Sequence, residues 1–180
     1  MIGDKEVVIV EEQGIIPFTK QEYLITVNCR LGHRCGYVRV SSNSLFYKKS
    51  YTENIIRGDD CSSIEYNVNV HGGVTYSGTL GKEFIGSEYP FYFGFDCSHL
   101  GDRKISIEDM KKIIFNLSNI SEQKKQELLN NYINLQNIFR VYNDLDINSI
   151  VRTVDYVRKE CFRLGEQLLS YEIKIKKGLK

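Results

Sequence analysis

"SIVRTVDYVRKECFRLGEQLLSY", residues 149–171, places Ile150, Val154, Val157, Cys161, Leu164, Leu168 and Tyr171 at successive spacings of 4, 3, 4, 3, 4 and 3. That period lines up one face of an α-helix. Ser149 stands where an N-cap residue is expected. An apolar stripe of this length has to be covered. The stretch therefore predicts a long C-terminal helix packed on a sheet supplied by the rest of the chain, with Cys161 as a core thiol. A partner helix in a homodimer is the other surface that would cover it.

The sheet is expected from residues 5 to 100. "EVVIV" (6–10) and "YLITVNC" (23–29) are β-branched and aromatic runs. "IEYNVNVH" (64–71) alternates, with Ile64, Tyr66, Val68 and Val70 on one side and Glu65, Asn67, Asn69 and His71 on the other. It reads as a strand that turns at Gly72-Gly73 into a second strand over 74–79, a β-hairpin. "FYFGFD" (91–96) is a further strand, in which Gly94 marks a bulge or a close backbone approach. Beyond residue 105 the period changes. Ser106 with Asp109 resembles a capping box, and a second helix is expected over 121–140. The fold class is α+β: a mainly antiparallel sheet covered by C-terminal helices. The 180 residues are expected to form a single domain, β-rich over 1–104 and helical over 105–180.

Composition narrows the function. Hydrophobic residues make up 42% and charged residues 26%, the balance of a globular chain. A net charge of +1 argues against a broad footprint for nucleic acid or anionic lipid. The basic end, "KIKKGLK", reads as a solubilising tail. No apolar run approaches the ~20 residues of a membrane span. "MIGDKEVVIV" lacks a signal-peptide pattern, and five cysteines without CxxC spacing suit reduced thiols. A cytoplasmic location is expected.

The chain has only three histidines, and each sits in a glycine-bearing motif. His33 lies in "LGHRCGYV" (31–38), His71 in "VHGGVTYSG" (70–78) and His99 in "GFDCSHLGD" (94–102). We therefore expect one shared site, with His71, Cys97 and His99 close together beside Arg34. Arg34 and the amides of Gly72 and Gly73 would take negative charge. Thr75, Tyr76 and Ser77 would supply hydroxyls, Asp96 and Asp102 carboxylates, and Tyr37, Tyr47 and Tyr51 would frame the ligand with Tyr76. This points to a small polar or phosphorylated ligand, nucleotide-like in outline. The alternative is a hydrolase with Cys97 or Cys35 as nucleophile, His71 or His99 as base and an aspartate as orienter. His33, Cys35, Cys97 and His99 make up a Cys₂His₂ set, but their one-residue spacings and Arg34 disfavour a closed metal site. No metal and no cofactor are expected. A structural or protein-interaction module is the third possibility, in which the same residues only make turns, caps and core.

The three motifs, in this order, resemble a protein family of phage and mobile-element genomes. Its pattern runs LGHRCGYV-x-VP-x-GHPLYG-x-x-Y, then VHGGLTYSG, then GFDCAHxGD. The likeness covers residues 31–102 and returns in "RTVDYVRKECFRLGEQL" (152–168). It implies phage or prophage origin and no settled activity. Ser44 stands at the histidine of the family's GHPLYG stretch, Tyr47 and Tyr51 are kept, and the family's tryptophans are absent.

Overall fold

The computed structural model describes residues 8–80, 90–118, 120–143 and 149–178. Five strands form one antiparallel sheet: β1 (Val8–Ile15), β2 (Glu22–Asn28), β3 (Arg34–Val40), β4 (Tyr76–Gly78) and β5 (Phe91–Asp96). Their spatial order is β1-β2-β3-β5-β4, so the first and third motifs lie on adjacent central strands. The helices are α1 (Ile64–Asn67), α2 (Ile107–Phe115), α3 (Glu122–Asn143) and α4 (Val154–Lys176). The architecture is α+β.

Helix α4 lies on the sheet at Gly36. Having no side chain, Gly36 lets the Phe95 ring and the Cys161 sulfur come close; a Cβ there would overlap both. Val157, Cys161, Leu164 and Leu168 are buried among Ile25, Val38, Phe93 and Phe95. The apolar stripe is thus covered by the chain's own sheet rather than left for a partner helix. A second core joins Ile9, Val27 and Cys29 to Met110 and Ile114 of α2 and to Leu128, Leu129 and Tyr132 of α3. The Ser106–Asp109 cap is present: Asp109 N donates to Ser106 Oγ at 3.0 Å and Ser106 Oγ to Asp109 Oδ2 at 2.8 Å.

A β-bulge shapes the edge strand. Val10 pairs with Thr26 and Glu12 with Ile25, which leaves Glu11 extra. Two consecutive glutamates then face the helical side, against the alternation of a regular strand. Glu11 grips Arg34, and Glu12 binds Arg158 of α4 and the Tyr23 hydroxyl.

Three expectations are corrected. Residues 64–67 form a short helix instead of opening a strand, with Ile64, Val68 and Val70 buried and Tyr66 69% exposed. Local side-chain bonding competes with the ladder: the Asn67 amide donates to Cys61 O at 2.7 Å and Ser63 O at 2.8 Å. Both backbone groups of Asn69 are taken by the Gln167 side-chain amide of α4, at 2.9 Å each. No neighbouring strand is then required, and β4 pairs with β5 rather than with 64–71. Next, α4 starts at Val154 with Thr153 as N-cap, not at Ser149. Ile150 is 58% exposed because its backbone bridges Gly101 and Arg103, which holds the segment extended. Finally, Lys174 and Lys176 belong to the last turn of α4, where cations suit the helix dipole, rather than to a separate tail.

Strand β5 coincides with the expected 91–96, and α3 covers the expected second helix. Of the "EVVIV" and 5–100 readings, residues 1–7 and 81–89 lie outside the described residues. Among the described residues no helix is long and apolar enough to cross a membrane.

Candidate functional site

Alternate residues of a strand face opposite sides of its sheet. Since Gly36 faces α4, Cys35 and Tyr37 face away from it. Cross-strand partners share a face, so Asp96 (opposite Cys35) and Gly94 and Tyr76 (opposite Tyr37 and each other) lie on that side too. Here a cavity of about 430 Å³ opens. The first motif lines it with His33, Cys35 and Tyr37, the second with Thr75 and Tyr76, and the third with Phe95, Asp96 and Ser98. Asn28, at the end of β2, and Leu31, in the β2–β3 loop, complete it; the Asn28 side chain shapes that loop by accepting from Arg30 N and Leu31 N at 2.9 Å each.

Gly94 is needed for the cavity wall. The Tyr37 ring lies on it where a Cβ would be, and meets the Tyr76 ring edge-on, with centroids 5.4 Å apart. Burial, then the neighbouring Cys35, holds the Tyr37 hydroxyl well above its ordinary pKa, so it stays a neutral hydrogen-bonding group. Asp96 is pinned at the cavity margin. Thr75 Oγ1 donates to its Oδ2 at 2.9 Å and Ser98 N to its Oδ1 at 3.1 Å. His99 Nε2 lies 3.7 Å from Oδ1.

The remaining motif residues meet elsewhere, around Asp102, whose side chain is 1% exposed. Arg152 Nε donates to its Oδ1 at 2.6 Å, and His71 Nε2 and His99 N to its Oδ2 at 2.6 and 3.1 Å. Burial alone would raise this carboxyl's pKa. The bonds from Arg152, His71 and His99 outweigh it and hold the group below the usual carboxylate range. The other ring nitrogen of His71, Nδ1, lies 3.0 Å from the Tyr156 hydroxyl. The Tyr156 pKa is itself raised, by burial first and then by Glu160. Both ring nitrogens of His71 are thereby engaged by the protein.

Arg34 and the Gly73 amide, two members of the expected anion cradle, are engaged from within. Arg34 donates to both carboxylate oxygens of Glu11, at 2.6 and 2.8 Å, and to Arg152 O at 2.8 Å. At the glycine turn, φ is 65° at Gly72 and 88° at Gly73. The His71 amide donates to Glu160 Oε2 at 2.7 Å and the Gly73 amide to Val70 O at 2.9 Å. A Cβ on Gly72 would overlap the His99 imidazole, so this glycine serves the conformation and the packing together. Ser77 Oγ accepts from Tyr51 N at 3.1 Å, and Tyr47 and Tyr51 pack against the core.

The structure therefore brings His71, His99 and Asp102 together, with His71 and His99 ring centroids 5.5 Å apart. His33, Thr75, Tyr76 and Asp96 meet at the cavity instead. Cys97 is buried in the core, and its thiol pKa is pushed up to about 12 by burial first, then by Asp102, Cys35 and Asp96. It stays protonated at neutral pH. Among the described residues no group of three or more His, Cys, Asp or Glu is disposed to hold a metal ion.

Sequence reasoning missed Arg152, Tyr156 and Glu160, which bind the Asp102–His71 cluster from the start of α4. Their signal was present in the "RTVDYVRKE" stretch, where a helix start carries Arg, Tyr and Glu beside the apolar stripe. It also missed Asn28, Leu31 and Ser98 at the cavity. No protein-family model, curated protein or solved structure matches the chain.

Proposed function

We propose that this chain binds a small polar ligand in the cavity on the face of the sheet remote from α4. The observation that carries the reading is that all three motifs send side chains into this one cavity. Its volume, about 430 Å³, falls in the ~300–1,000 Å³ range of small-molecule sites. Aromatic walls with a few fixed polar groups are the usual composition of such sites. The Asp102 cluster has a supporting part in this reading. It ties the 99–102 loop and the glycine turn to α4, and so steadies the second and third motifs from below.

A thiol hydrolase acting through Cys97 is supported less well, because Cys97 is buried in the core with its pKa raised. A phosphorylated ligand would need a fixed cation, and Arg34 is already committed to Glu11.

The test uses native mass spectrometry and thermal shift with fractions of a small-molecule extract. Wild type should retain a ligand and gain stability from it. Ser98→Trp, at an exposed lining position, should fill the cavity and abolish both effects while the unliganded melting temperature stays near that of wild type. Equal retention by this variant would refute the cavity as the site.

A further inference from the structure

We infer, building on the cavity reading, that the ligand is a small organic cation whose amine or amidine group pairs with Asp96 and whose apolar part lies against Tyr37 and Tyr76. Asp96 is the carboxylate among the described lining residues, and no Lys or Arg is among them. The charge of the lining would therefore repel an anion and attract a cation. Thr75 and Ser98 N each fix one oxygen of Asp96, which sets the plane of the carboxylate. A carboxylate oxygen accepts about two hydrogen bonds, so each oxygen has capacity left for the parallel N–H pair of an amidine. Asp96 is half-buried, so the pairing would occur partly out of water, where a charge-assisted bond counts for more.

The tyrosines fit the same ligand. Tyr37 and Tyr76 stay un-ionised, their hydroxyl pKa values raised by burial, so they add no competing charge. Both rings line the cavity, and aromatic rings attract cations to their faces. His33 lies in the lining and His99 sits 3.7 Å from Asp96 Oδ1 on the loop side.

An isosteric charge series tests the inference: benzamidine, benzamide and benzoate, titrated into the protein with Tyr37 and Tyr76 resonances followed by NMR. Benzamidine should bind tightest and benzoate weakest. Asp96→Asn should weaken benzamidine about tenfold or more, the scale of one charge-assisted hydrogen bond, and leave benzamide within about twofold. Unchanged benzamide binding also shows that the variant is folded. Benzoate binding tighter than benzamidine, or benzamidine affinity indifferent to Asp96→Asn, would overturn the cationic ligand and leave the cavity reading standing. That reading fails on its own test, if Ser98→Trp retains the extract ligand.

Discussion

Asp102 is buried yet ionised, because Arg152, His71 and the His99 amide surround its carboxylate. Its folded pKa lies below the unfolded value of about 3.9. A depressed carboxyl contributes stability above the unfolded pKa and loses it as pH falls through the folded one. Denaturant midpoints measured against pH should therefore decline below about pH 4, and Asp102→Asn should flatten that acid limb. At pH 7 the same variant should lose about 1–3 kcal/mol, since one of the two accepting oxygens becomes an NH2 donor and Arg152 loses its ionic partner. A variant with the wild-type acid limb would remove Asp102 as its cause. The thiols are ordered by exposure. Cys61 is the exposed cysteine, whereas burial pushes the Cys29 and Cys97 pKa values up to about 12 and the Cys161 value higher than its ordinary one. Iodoacetamide at pH 7 with mass mapping should modify Cys61 well before those three. Early modification of Cys97 would contradict its placement in the core.

Helix α4 is the element that organises the rest. It covers the sheet with Leu164 and Leu168, holds the glycine turn through Glu160 and Asn69 through Gln167, and takes the 41–51 loop through Glu172. That carboxylate accepts from Ser44 Oγ at 2.9 Å and Leu45 N at 3.0 Å. Ser44 is thereby an anchor between loop and helix. Leu164 is fully buried, so Leu164→Ala should cost about 2–5 kcal/mol in a urea titration. A loss well under about 1 kcal/mol would mean that the stripe is not packed on the sheet. The same titration at several protein concentrations should give one midpoint, because the stripe is covered within the chain and only an interface makes stability depend on concentration.

At the scale of the whole molecule, the strongly periodic segments were legible in the sequence. The 3.6-residue stripe of α4, the β-branched and aromatic runs of β2 and β5, and the Ser106–Asp109 cap each carry a local signal that tertiary packing reinforces, whereas β3, broken by Gly36 and two arginines, was not read as a strand. The glycines were legible as well, since positive φ at Gly72 and Gly73 and the close approach at Gly94 are backbone demands. Residues 64–71 were not, because apolar side chains at 64, 68 and 70 suit either a strand or a turn tucked beneath a helix. The outcome depended on Gln167, 98 residues away from Asn69, which supplies the missing ladder partners. The division of the motif residues was equally invisible. The sequence by itself determined that three histidine- and glycine-bearing motifs occur in a sheet-forming half followed by an amphipathic helix. Only the tertiary structure decided which of their side chains face the cavity and which are fastened to Glu11, Arg152, Tyr156 and Glu160. The physical reason is that strand register fixes which side of the sheet a residue faces, and that the ion pairs and hydrogen bonds joining distant segments leave no periodic trace in the chain.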